Sequence, residues 1–132
     1  MRYLLDTNIC IYLIKNRPVI VREHFERHDF AKIGISSIVA AELYFGAAKS
    51  VSPRTRQVLD EFLATITILP FDHAASIHFG DLRAHLERRG TPIGSYDLQI
   101  AAHALALDCT LVTNNLREFE RVPGLKLENW ID

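Results

Sequence analysis

Short apolar runs alternate with segments of helical period along the whole chain. Residues 2–5 form a strand-like run, after which Thr7 or Asn8 is placed to cap a helix ending near residue 15. Pro18 suits the first turn of a second helix, to about residue 27. Residues 32–35 read as a strand that stops at Ser36-Ser37, a good cap for a helix over 38–49. Ser52-Pro53 opens another helix, to about residue 64, and 66–69 is a third strand. Asp72 caps a long helix that Gly90 ends. After the loop Thr91-Pro92-Ile93-Gly94, a helix begins at Ser95 or Tyr96 and runs to about residue 107. Residues 110–113 have the composition of a buried strand, Asn114-Asn115 turns into a short helix, and 126–128 reads as an edge strand. This alternation predicts an α/β fold, a parallel sheet with helices on both faces, in one domain over residues 1–132. In such sheets function gathers beyond the carboxyl ends of the strands.

Composition narrows the picture. At 132 residues with 48% hydrophobic side chains, the chain can bury a real core. Fifteen basic residues against sixteen acidic ones leave a formal charge of -1, so overall charge gives no nucleic-acid footprint. Any RNA contact must come from local clusters. No apolar run approaches the roughly 20 residues of a membrane span, and Asp6 comes too early for a signal peptide. Cys10 and Cys109 lie far apart without CxxC spacing, which reads as two free thiols in a cytoplasmic protein.

Three acids stand where acids are costly. Asp6 follows the apolar Leu4-Leu5 at the end of the first strand. Glu42 is isolated in Ile38-Val39-Ala40-Ala41-Glu42-Leu43-Tyr44-Phe45. Asp97 lies in the first turn of a helix that continues Ile100-Ala101-Ala102-His103-Ala104-Leu105. A buried, unpaired carboxylate costs several kcal/mol, so such groups are normally paired or bound to a cation. Singly, each has an ordinary reading as a cap, a dipole partner or a solvated side chain. Together, with Asp6 and Asp97 on one edge of the sheet, they form a hard-cation site suited to Mg²⁺ or Mn²⁺ and to phosphate chemistry. Thr7 and Asn8 beside Asp6, and Thr113, Asn114 and Asn115 after the last buried strand, serve either as turn formers or as groups that orient the carboxylates.

Leu5-Asp6-Thr7-Asn8, the isolated Glu42, Ser95-Tyr96-Asp97-Leu98-Gln99-Ile100-Ala101 and Leu111-Val112-Thr113-Asn114-Asn115 resemble, in order and spacing, the four motifs of the PIN-domain family. The ending Asn115-Leu116-Arg117-Glu118-Phe119-Glu120-Arg121-Val122, with Trp130, is similar to the enteric-type VapC toxins of that family. The resemblance implies a three-layer α/β/α fold of about five parallel strands. It implies an acidic pocket of Asp6, Glu42 and Asp97, with Asp6 and Asp97 the principal Mg²⁺ ligands. It further implies a homodimer that cuts structured RNA, initiator tRNA in its anticodon region being the expected target, and that is silenced by a VapB-type antitoxin. Water activated on the ion would attack the phosphorus, with Glu42 orienting the water or acting as base. The fourth family position is usually acidic, and Asn115 occupies it here. Should residue 115 lie out of reach of an ion, Thr113, Asn114, Glu118 and Glu120 are the next choices.

Other features carry less. His24 and His28 have the i,i+4 spacing of a metal pair but lack the HExxH glutamate, and read as surface histidines. The six glycines form no nucleotide-binding motif. Lys49, Arg54 and Arg56, then Arg83 with Arg88 and Arg89, then Arg117 and Arg121 are clusters available for RNA phosphates. The apolar stripe of Leu43, Tyr44, Phe45 and Ala48 reads first as core, and part of it could receive an antitoxin helix. Two competing readings are a receiver-type signalling domain, which needs an acidic pair and a pocket lysine not found here, and a non-catalytic RNA-binding PIN scaffold.

Overall fold

The computed structural model describes residues 1–131, so the last residue of the expected domain range, Asp132, lies outside the described residues. In chain order the elements are β1 (Tyr3–Leu5), α1 (Thr7–Lys15), α2 (Val19–Glu26), a 3₁₀ turn (Phe30–Lys32), β2 (Ile33–Ser36), α3 (Ser37–Lys49), α4 (Pro53–Leu63), β3 (Thr67–Leu69), α5 (His73–Arg88), α6 (Ser95–Leu107), β4 (Thr110–Val112), α7 (Leu116–Phe119) and β5 (Lys126–Glu128). The five strands make one sheet in the order β3-β2-β1-β4-β5, with every pair parallel. The expected parallel α/β architecture is therefore the one observed.

Strand order explains where function can sit. The chain leaves β1 towards β2 and β3 on one side, then returns to place β4 and β5 on the other. The order reverses between β1 and β4, and in open parallel sheets ligands bind beyond the carboxyl ends of strands at such a point. Central strands are sealed on both faces: Leu4, Leu5, Ile33, Ile35, Leu111 and Val112 are all fully buried. Each such side chain contributes about 1.5–3 kcal/mol of transfer free energy. Rigid pairing of Leu4 with Leu111 and of Leu5 with Val112 brings the two strand ends to a common level.

Local chemistry differs from expectation in a few places. Asp6, rather than Thr7 or Asn8, caps α1. Ser36 caps α3 by accepting the Ile38 N–H at 3.1 Å, and is held itself by the buried His103 Nδ1 at 2.8 Å. Asp29 caps the 3₁₀ turn, which carries no apolar period and was not legible. His24 and His28 are half-buried rather than on the surface, because their rings stack on the Trp130 indole at 5.9 and 5.3 Å. Both cysteines are free and buried, as expected. Among the described residues no helix is long and apolar enough to cross a membrane.

Gly34 marks the tightest point of the sheet. A Cβ there would stand 3.0 Å from the Thr67 carbonyl oxygen and 3.1 Å from Leu69 Cδ1 and Met1 Sδ. Backbone of a paired strand cannot yield easily, so Gly34→Val should cost about 1–3 kcal/mol. Urea unfolding should show a lower midpoint at an unchanged slope.

Candidate active site

Asp6 is the first residue beyond β1, in extended conformation, and its backbone N–H donates to the Val112 carbonyl at 2.9 Å. Its carboxylate is only 6% exposed and is doubly anchored. Oδ1 accepts the Thr7 N–H at 2.8 Å, and Oδ2 accepts the Thr113 hydroxyl at 2.9 Å. A carboxylate offers about four acceptor sites, so lone pairs remain for a further partner. Burial raises the Asp6 pKa, the two hydrogen bonds oppose this, and the Glu118 charge adds to the rise. Thr113 is itself fully buried just past β4. It accepts the Asn115 N–H at 3.0 Å, so Thr113 couples the following turn to Asp6.

Asp97 stands in the first turn of α6, half-buried, with its carboxyl hydrogen-bonded to Glu118. Burial, that shared hydrogen bond, and the charges of Glu118 and Asp6 push its pKa up to about 7. Glu118, on α7, is held below the usual carboxylate range, chiefly by the Gly94 N–H, which donates to Oε1 at 3.0 Å. Asn115 Nδ2 donates to the other oxygen at 3.2 Å, and the Arg121 charge adds to the depression. Asp97 and Glu118 therefore titrate as an interacting pair, Asp97 above and Glu118 below the usual carboxylate range.

The remaining sequence candidates fall into three groups. Thr7 shares a hydrogen bond between its hydroxyl and that of Tyr96, a residue the sequence offered only as a helix start. Asn8 and Asn114 form an outer fringe: their amides meet at 3.5 Å, and Asn114 Nδ2 donates to the Tyr12 hydroxyl at 3.0 Å. Glu42 is exposed on α3, at one end of a groove of about 280 Å³ that Thr7, Ile11, Leu43 and Leu59 also line. Its charge, like that of Asp6, reaches the Tyr96 phenol and helps burial to raise the pKa there. The acid that joins Asp97 is Glu118, and Asn115, at the usual fourth position, acts on Glu118 through its amide. Glu118 was legible only as a reserve choice, because nothing in its polar helix distinguishes it from Glu120.

Among the described residues no three of the acidic, histidine or cysteine side chains converge closely enough to clasp an ion as they stand. The donors at the crevice are all oxygens, which fits a hard cation. Two of them are spent on each other in the Asp97–Glu118 bond. Basic candidates differ in position. Arg121 donates to the Pro92 carbonyl at 3.0 Å, and Arg83, paired with Glu87 at 2.8 Å, lines a cleft with Pro92, Ile93 and Ser95. Both therefore flank the loop that leads to Asp97. Lys49 lies over Phe45 and Arg56 over Tyr44, with Arg56 also paired to Asp60, on α3 and α4. Arg54 and Arg117 are exposed.

A parallel five-stranded sheet with acids gathered at its switch crevice is the architecture of a PIN domain, and the PIN domain family profile matches residues 3–125. The chain belongs to the PIN-domain family. Its relatives include the tRNA(fMet)-specific endonuclease VapC of Salmonella typhimurium, 47% identical over 131 residues and 98% of each chain. Ribonuclease VapC2 of Haemophilus influenzae is 47% identical, with 99% of each chain covered. A chain of the DNA-bound VapBC structure from Salmonella typhimurium superimposes with a TM-score of 0.93 at 46% identity, over 98% of each chain. PIN-domain ribonucleases generally depend on a divalent metal. A receiver-type signalling domain and a non-catalytic scaffold are not favoured by these relatives.

The proton on Asp97 has a consequence for stability. A carboxyl whose pKa rises from 3.8 to about 7 on folding holds a proton that the unfolded chain releases. Its contribution is present in full below about pH 4 and is lost as pH rises through 7. Asp6 shifts in the same direction and Glu118 in the opposite one. With chelator present, the protein should therefore melt several degrees lower at pH 8 than at pH 5, on the order of the 2–8 °C that one kcal/mol moves domains of about 60 to 250 residues. Asp97→Asn should remove most of that difference in paired thermal melts.

Proposed function

We propose that this chain is a divalent-metal-dependent endoribonuclease of VapC type, the toxin half of a toxin–antitoxin pair. It cuts tRNA, with the anticodon region of initiator tRNA as the expected target, and so inhibits translation in the cytoplasm. A VapB-type antitoxin neutralises it, and it works as a homodimer. The observation that supports this reading is that Asp6, just beyond β1, and Asp97, in the first turn of α6, lie near enough for the charge of Asp6 to add to the rise of the Asp97 pKa. Repulsion of that kind is relieved by a cation, and the chain is 47% identical to a tRNA(fMet)-specific endonuclease.

The residues divide the work by position. Asp6 and Asp97, with Glu118 beside them, would hold Mg²⁺, or Mn²⁺ in its place. When bound, the ion supplies charge neutralisation at the phosphate and a lowered pKa for water. Thr113 and the Thr7 N–H keep Asp6 facing the crevice. Glu42, exposed on α3, would orient water or accept its proton. Arg121 and Arg83, on either side of the 92–95 loop, suit RNA phosphates entering beside Asp97. Lys49, Arg54 and Arg56 would extend the contact along α3 and α4, and Arg117 along α7.

The test is cleavage of a tRNA panel by the purified chain, with the new RNA ends sequenced. One dominant cut should appear in an anticodon loop. It should stop in EDTA and return with Mg²⁺. Asp6→Asn and Asp97→Asn should each lower the rate by roughly 100-fold or more, beyond what loss of a supporting group costs, while remaining folded. Undiminished cutting in EDTA, or an active Asp6→Asn protein, would sink the reading.

Asn115 provides a finer check. Asn115→Asp replaces an amide donor to Glu118 with another negative charge at the crevice, and metal affinity rises with ligand charge. Calorimetric titration with Mn²⁺ should show tighter binding than in the wild type. Asn115→Ala only frees Glu118 and should cost less activity than Asp6→Asn. Equal Mn²⁺ affinities for wild type and Asn115→Asp would place residue 115 beyond the ion's influence.

A further inference from the structure

Asp6 and Asp97 reach the crevice by unrelated routes. Asp6 extends from β1 and is fixed through the sheet, by its own N–H on Val112 and by Thr113. Asp97 belongs to α6, which follows a loop rather than a strand, and whose N-cap Gly94 offers no side chain to cap it. The sheet reaches Asp97 only through a longer relay of Thr113, Asn115 and Glu118. The direct link between the first turns of α1 and α6 is the hydrogen bond between the Tyr96 and Thr7 hydroxyls. Thr7 in turn gives its N–H to Asp6 Oδ1 at 2.8 Å, and Tyr96 is the covalent neighbour of Asp97. A continuous path therefore runs from one carboxylate to the other: Asp6, Thr7, Tyr96, Asp97. The Tyr96 ring is half-buried against the hydrophobic core, so its hydroxyl is delivered by a side chain that cannot swing freely.

We infer that Tyr96 is a positioning residue, whose hydroxyl acts through Thr7 to hold Asp97 at the spacing from Asp6 that one divalent ion requires. This rests on the reading of the crevice as a metal-dependent nuclease site. Phenylalanine would fill the same space and keep α6 packed, so packing alone does not account for a hydroxyl here. A bond of this kind between groups that support ligands usually shows in metal affinity or turnover more than in stability. Mg²⁺ makes the demand sharper, because it tolerates little departure from octahedral geometry.

The test uses Tyr96→Phe and Thr7→Val, each of which removes one hydroxyl and leaves the Thr7 backbone N–H in place. On the full chain, calorimetric Mn²⁺ titration should show roughly tenfold weaker binding for either variant. RNA cleavage should lose kcat with little change in KM for RNA, and melting temperatures without metal should stay close to wild type. Because the two hydroxyls share one bond, the double variant should bind Mn²⁺ no more weakly than either single one. Asp6→Asn serves as the reference. If Asp6→Asn loses Mn²⁺ while Tyr96→Phe binds it as the wild type does, the inference is overturned and the nuclease reading stands. It is equally overturned if the two single effects add in the double variant, or if Tyr96→Phe lowers only the melting temperature. If wild type and Asp6→Asn bind Mn²⁺ equally, the nuclease reading itself has failed.

Discussion

The hydrogen bond from the Thr113 hydroxyl to Asp6 Oδ2 joins the ends of β1 and β4 at the point where strand order reverses. Both groups are almost wholly buried, and a buried carboxylate without a donor is costly enough to be avoided. The sheet supplies that donor by pairing Leu5 with Val112, which sets residues 6 and 113 side by side. The same pairing aligns Thr113 with the turn at Asn114-Asn115, from which Glu118 is presented. Were β4 displaced by one residue, Thr113 would point to the opposite face and Asp6 would lose its partner.

Around that anchor the acids are treated unequally. Burial raises the Asp6 pKa against its two hydrogen bonds, the Gly94 N–H holds Glu118 below the usual carboxylate range, and burial with the neighbouring acids pushes Asp97 up to about 7. Pairs of titratable groups driven apart in this way are a mark of functional sites. Glu42 stands apart, exposed on α3 and sensed only through the Tyr96 phenol.

The periphery follows different rules. Trp130, almost wholly buried, packs back against Tyr3 of β1, with His24 and His28 stacked on its ring. The histidines that looked like a possible metal pair by spacing are thus part of an aromatic seal. Basic side chains on α3, α4 and α5 are mostly neutralised or laid over rings, as with Arg56 and Arg83. The near-zero net charge of the chain is matched by this local pairing.

By itself the sequence determined the elements and the chemistry at their ends. Apolar runs and capping residues placed all five strands within about a residue, because burial of Leu4, Ile35 or Leu111 and the caps at Ser36 and Asp72 are local demands written into the chain. Asp6 and Thr113 were legible because a charge or hydroxyl beside a sealed strand end needs a function or a partner, and Asp97 because it is a lone charge opening an otherwise apolar helix. The three-dimensional pairing alone decided which acid completes the cluster. Asn115 stands at the expected position, yet Glu118 meets Asp97, because one turn of α7 carries residue 118 back to the Gly94 N–H. It also decided that Tyr96 faces Thr7 rather than solvent, and that His24 and His28 enclose Trp130. Each of these is a contact between residues far apart in sequence, and local propensity holds no information about a partner that only the folded sheet brings near.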